Sequence, residues 1–307
     1  MEKPSASAIE KSVAGNKTRD KVFAIVGLLC TFIGMLTLAA LLFDLSSDGL
    51  ARIKPHFFTS FPSRFAGQAG ILSSWVGTIL VMIVTALAAV PIGVGAGVYL
   101  EEYAPKNWLT ALIEINIANL AGVPSIVYGL MALGLFVYQF KFGQSILSAG
   151  LTLALLILPI IIVATRESLR AVPGSMREAA YALGATKWQT TSDHVLPYSM
   201  GGILTGVIIG LSRAIGETAP LITIGALTFI AFLPDAPIKA EFPFISFEWL
   251  WSPYSVMPIQ MFNWVSRPQA EFHLNAAATG LVLMVMTLAM NAVAIYFRYR
   301  FRKRIKW

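Results

Sequence analysis

Arg213 and Glu217 stand four residues apart inside an otherwise apolar run, 198–233. At that spacing a helix places both side chains on one face. Ionised groups at membrane depth are costly, so they usually face a bundle interior or a water-filled path. A guanidinium there would attract an anion. The hydroxyl of Thr218 and the backbone groups freed beside Pro220 would add hydrogen-bonding partners, as broken helices do at mid-membrane ion sites. The plainer alternative is a pair that neutralises itself and locks two helices together. His56, His194 and His273 fall in separate regions, and Cys30 is alone. With no HExxH, GxSxG or Walker A run, the chain is expected to hold no catalytic residue, no metal and no cofactor. Any work it does would draw on a partner or an ion gradient. Asn116, Asn119, Ser125, Thr152 and Asn291 could line a path. More often such groups bond between helices or back to their own backbone.

A second feature is polar. Residues 166–197, RESLRAVPGSMREAAYALGATKWQTTSDHVLP, form the one long hydrophilic break between apolar runs. Ser175 and Glu178 have capping-box spacing, Gly184 suits a left-handed helix end, and Thr186 with Gln189 repeats the box before Pro197. The spacing predicts two short helices joined at Gly184 and stopped at Pro197. A polar helix–Gly–helix between membrane spans is suited to docking on something outside the membrane.

The rest of the chain positions these two features. Of 307 residues, 56% are hydrophobic and 13% charged, about half the charge of an ordinary soluble domain. The charges cluster between long apolar runs, which predicts an all-α, multi-span membrane protein. The net charge of +7 resides at the two ends and around 166–187. Membrane topology accounts for it, and nucleic acid is not an expected partner. Spans are expected over 22–43, 71–100, 109–137 with an interruption at Gly122 to Ser125, 146–165, one crossing within 198–233, and 275–297. Residues 198–233 would make about 54 Å of helix, too long for one straight span. Both cationic ends are expected in the cytoplasm, which requires an even number of spans, six. That places the Glu101 turn and 166–197 in the cytoplasm as well, while Arg52, Lys54 and Arg64 fall outside against the trend. Glu114 reads as a helix start at the membrane surface. Trp249, Trp251 and Trp264 read as interface anchors. The expected organisation is a tail over 1–21, a first span with an outer segment over 22–70, a transmembrane domain over 71–297, and a basic tail over 298–307.

These residues resemble a known family. Glu178-Ala179-Ala180, then Gly184, then Leu196-Pro197 is similar to the EAA loop of ABC-importer permeases. His194 stands where that family usually has an aliphatic residue, with Val195 beside it. The run Arg213-Ala214-Ile215-Gly216-Glu217-Thr218-Ala219-Pro220, with Pro124-Ser125-Ile126-Val127-Tyr128-Gly129, resembles the phosphate-specific permeases of the PstA type.

The resemblance implies a type I importer fold in a bacterial inner membrane. It implies a coupling helix near 175–183 that inserts into a cytoplasmic ATPase dimer of the PstB type. It also implies a sister permease of the PstC type and an outer phosphate-binding protein of the PstS type. Arg213, Glu217 and Thr218 would shape the phosphate path, and Arg170 would anchor the loop. Three alternatives stand beside this: a permease for sulfate, molybdate or a phosphonate; an ion-driven secondary transporter; and a non-transporting scaffold.

Overall fold

The computed structural model describes residues 6–237 and 246–304; of the expected tails over 1–21 and 298–307, residues 1–5 and 305–307 lie outside it, and the rest continues the first and last helices. Among the described residues the protein is helical and contains no strand. The chain begins with α1 (Ala6–Gly49) and then α2 (Leu72–Tyr103), whose last five residues widen into a π-helical turn. α3 (Trp108–Leu120) is followed by α4 (Ser125–Gln139), bent from it by 107°. Next come α5 (Ile146–Arg170), α6 (Gly174–Ala182) and α7 (Lys187–Ile215). A short α8 (Ala219–Thr223), α9 (Met257–Val265) and the long α10 (Ala270–Arg304) follow, and a further short helix covers Pro55–Thr59 between α1 and α2. Five of these helices, α1, α2, α5, α7 and α10, are long and apolar enough to cross a membrane, and six crossings result if α3 and α4 make one broken span.

Small residues bring the central helices together. A Cβ on Gly93 would lie 2.7 Å from Ile161, and one on Gly97 would lie 2.6 Å from Thr165. The Thr85 hydroxyl also donates to the Gly150 carbonyl at 3.2 Å. These contacts advance together along both chains, so α2 and α5 run parallel. Gly202, Gly206 and Gly210 lie against Ser168, Ala164 and Ile157 in reverse order, so α7 runs antiparallel to α5. Helix association in lipid relies on such close backbone approach, because apolar side chains gain little by leaving an apolar solvent. The buried core of Val81, Leu153, Ile157, Ile161 and Val207 fills the space between these three helices.

The first and last long helices touch where α1 ends and α10 begins. Gly49 packs on the backbone of Ala277 and Ala278, and Leu45 packs beside Gly280. The C-terminal end of α1 therefore lies against the N-terminal end of α10, antiparallel to it. Arg52 is drawn into this junction. Its guanidinium donates to the Asn275 side-chain oxygen and the Ala66 carbonyl, and the Asn275 amide donates to the same carbonyl at 3.0 Å. A cation that runs against the topology trend is thus a tie between the 50–70 segment and the last helix.

Several expectations are corrected. The helix near 146–165 continues to Arg170, so Arg166 belongs to a long helix and not to a separate polar break. Pro197 does not stop the second short helix. A π-helical turn over Thr190–Val195 precedes it, and the missing proline donor falls where the helical hydrogen-bond pattern is already interrupted. Within 198–233 one long helix ends at Ile215, and after α8 no helix is present before Pro237. Trp264 is fully buried against Phe57 and Phe272, and Trp249 is buried too; only Trp251 is exposed, at 55%. The loop holding them folds back on the bundle through α9, which contacts α10 and α2.

Candidate functional site

The two short motifs of the membrane region meet in the fold. α7 ends at Ile215, Gly216 closes it, and α8 begins at Ala219 with Pro220 in its first turn, where the missing N–H is not needed. Arg213 reaches across that end, its Nε donating to a Glu217 carboxylate oxygen at 3.4 Å. The pair does not share a face of an intact helix, because Glu217 lies beyond the helix end. The Thr218 carbonyl accepts from the N–H groups of Leu221 and Ile222 at 3.1 and 3.0 Å, so this residue opens α8. Arg213 is 40% exposed at its side chain and Glu217 18%, so the pair opens toward the surface at a break in the helix. Opposite it, Gly129 of α4 has no room for a side chain. A Cβ there would lie 2.6 Å from Pro220 Cα and 2.8 Å from its carbonyl oxygen, and would also collide with the Thr223 hydroxyl. The Tyr128 hydroxyl donates to the Leu120 carbonyl at 2.8 Å, bridging the bend between α3 and α4. Both PstA-like runs therefore build one junction, in which two broken helices touch beside a paired arginine.

Two of the other polar groups serve their own helices, and a third links two. Asn116 donates to the Leu112 carbonyl and Thr152 to the Ser148 carbonyl. The Ser212 hydroxyl donates to Asn291 at 2.7 Å and joins α7 to α10.

At one end of the bundle lies the 166–197 loop. α6 starts at Gly174, one residue before Ser175, with Pro173 at its cap and no side-chain cap bond. Ser175 is thus already helical and cannot cap, and its box with Glu178 does not form. Gly184 adopts φ +82°, as a left-handed helix end requires, and the Thr186–Gln189 box is complete. Glu178 and Ala179 are exposed and Ala180 is buried. Leu196 and Pro197 are half-buried at the base of α7, while Val195 beside the exposed His194 is fully buried. Leu183 is 90% exposed and Trp188 66%. With half-exposed Tyr181 they give the loop an apolar outer face.

Sequence reasoning missed what holds this loop. Arg177 donates to Glu102 at 2.7 Å and to the carbonyls of Val172 and Leu169, each at 2.9 Å. Glu102 sits in the π-helical end of α2 with its side chain 7% exposed. Lys187 lies over the Tyr103 ring, 5.1 Å from its centre. Arg170 bonds Glu101 at 3.0 Å and Glu167 at 3.2 Å, tying the end of α5 to the end of α2. Glu114, expected at a helix start, lies in the middle of α3, partly exposed and ion-paired with Arg166 at 2.6 Å. The signal available was the matched run of carboxylates at 101, 102 and 114 and arginines at 166, 170 and 177, all grouped at one end by the helix order.

Comparison with known proteins identifies the family. Residues 89–307 match the family described as "Binding-protein-dependent transport system inner membrane component". The probable ABC transporter permease protein YqgI of Bacillus subtilis is 30% identical over 90% of this chain and 94% of its own. The phosphate transport system permease protein PstA of Yersinia pestis is 31% identical over 92% of this chain and 91% of its own. PstA 1 of Mycobacterium tuberculosis is 32% identical over 78% of this chain and 73% of its own. Among solved structures, a chain of the inward-facing methionine ABC transporter MetNI superposes with a TM-score of 0.55 at 16% identity, covering 75% of this chain and 94% of that one. The likeness to MetNI is one of fold. A multi-pass helical bundle with an exposed EAA-type loop, matched over most of its length, belongs to the binding-protein-dependent inner-membrane components, the permease subunits of ABC importers.

Proposed function

We propose that this chain forms half of an inorganic phosphate path, paired with a sister permease and driven by a separate cytoplasmic ATPase. The observation that carries the reading is the junction of Arg213 and Glu217 with Gly129 and Pro220. A guanidinium offers paired donors to a phosphate oxyanion, and the neighbouring carboxylate keeps the local charge near zero, so that an anion passes instead of staying. Curated relatives named for phosphate transport align across most of this chain, which favours phosphate over sulfate, molybdate or a phosphonate.

In this reading an outer phosphate-binding protein delivers the anion. ATP binding closes an ATPase dimer on α6, around Glu178 to Gly184. Leu196 and Pro197 carry that motion into α7. Both termini and the loop then face the cytoplasm. The cationic ends favour this, and so does the antiparallel contact of the C-terminal end of α1 with the N-terminal end of α10.

The test is uptake of radiolabelled phosphate, against sulfate as competitor, by the reconstituted complex. Wild type is expected to take up phosphate with ATP and to ignore a tenfold excess of sulfate. Arg213→Gln is expected to lower phosphate flux at least tenfold with the ATPase still bound. Loss of ATPase binding in that variant would make the pair structural, and sulfate uptake would overturn the solute assignment.

A further inference from the structure

The loop that receives the ATPase and the junction that holds Arg213 lie at different levels of the bundle. The structure offers a strut between them: α3. No residue of this 13-residue helix is buried, so core packing does not fix it. Two polar tethers do. Near its middle, Glu114 pairs with Arg166 at 2.6 Å. At its end, the Leu120 carbonyl accepts from Tyr128, the residue next to Gly129 in the candidate junction. The helix rises about 9 Å between these two points, as a rigid rod would.

Arg166 is itself held for this task. It is 8% exposed, near the end of α5, and its second carboxylate neighbour is Glu101 at 3.5 Å. Glu101 also binds Arg170, and the adjacent Glu102 binds Arg177 of α6. Two sets of ion pairs, Arg177–Glu102 and Glu101–Arg166–Glu114, are thus joined through the backbone of adjacent Glu101 and Glu102, so that the coupling helix connects through the end of α2 and Arg166 to α3. A cavity of about 350 Å³ beside these groups is also lined by Lys106 and by Asn107, whose side-chain oxygen accepts from the Thr110 N–H at 2.9 Å. An exposed helix with polar tethers at its middle and its end can swing as a unit when one tether moves. A helix embedded in close-packed core would resist.

We infer that Arg166 is a positioning residue for transport: through Glu114 it makes α3 a lever that carries ATPase-driven motion of α6 to the Pro124–Gly129 junction. This rests on the proposed importer function, but not on which anion is carried. Spin labels at the exposed Ala118 of α3 and Ile209 of α7, in the full complex, read the distance with and without ATP. Phosphate taken up per ATP hydrolysed is measured in parallel.

In wild type the distance is expected to change on ATP binding. Arg166→Gln and Glu114→Gln should abolish that change and lower phosphate per ATP about tenfold while hydrolysis continues. Arg166→Lys, which keeps the charge, should stay within twofold of wild type. Glu114 is partly exposed, so Glu114→Gln reports on the lever even where Arg166→Gln fails to fold. A preserved ATP-dependent distance in either Gln variant, or a parallel fall in hydrolysis and uptake, overturns the lever. A wild type that shows the distance change without phosphate uptake rejects the phosphate assignment alone.

Discussion

Gly129→Ala is the sharpest test of the junction. The new methyl group would stand 2.6 Å from Pro220 Cα, whereas carbon atoms rest at about 3.5–4.0 Å, so α8 must retreat by roughly 1 Å. The Thr223 hydroxyl can turn aside, but only by leaving the Pro220 carbonyl it now contacts at 2.8 Å, a loss of about 1 kcal/mol. Overpacking of this kind costs about 1–3 kcal/mol. Alanine recovers about 0.5–1 kcal/mol through lower unfolded-chain entropy. The net cost is therefore about 1–3 kcal/mol. A 1 Å misplacement near a reacting or binding group can lower a rate by about 100-fold. Phosphate uptake by the reconstituted complex should accordingly fall about 10- to 100-fold, with a lower thermal midpoint in detergent. Gly134→Ala, five residues along the same half-span, is the control. No atom lies within 4 Å of its would-be Cβ, and it should behave as wild type. Uptake within twofold of wild type for Gly129→Ala, with an unchanged midpoint, would refute the idea that close contact of α4 with α8 sets the position of Arg213.

Arg177→Met should destabilise the attachment of α6 by about 3 kcal/mol, because Glu102 would remain buried without its partner; limited proteolysis across 171–186 should accelerate, and adding Glu102→Met should reverse most of the loss. Thr186→Ala removes the capping-box acceptor and should cost about 1 kcal/mol, seen as about fivefold faster hydrogen exchange at the Gln189 amide with uptake largely kept.

The legible parts of this fold are those whose causes are local. Gly184 at φ +82° and the Thr186–Gln189 box depend only on a few neighbouring residues, and apolar run length alone placed the long helices. The box expected at Ser175 failed because Pro173 takes the cap position two residues earlier, a choice between two competing local signals. Trp264 shows a different limit. A tryptophan in an aromatic loop reads alike whether it meets a membrane interface or the face of Phe57, and only the return of α9 onto the bundle decides. The pairings of Arg166 with Glu114 and Arg177 with Glu102 were not legible either. They join helices remote in sequence, and opposite charges at one end of a bundle admit many combinations. At the candidate junction the two motifs could be read singly. Their contact through Gly129 could not, since a glycine marks close approach without naming what approaches.

The π-helical turn over Thr190–Val195 carries a consequence for how this scaffold can vary. Relative to a regular helix it holds one surplus residue, and each residue of an α-helix advances about 100° around the axis. Losing that residue would turn Trp188 and everything before it by that angle, while Arg213 beyond the turn kept its bearing. The turn therefore acts as an indexing joint. It separates the compass direction of the docking surface from that of the membrane path, so a single-residue deletion could re-aim one without redrawing the other.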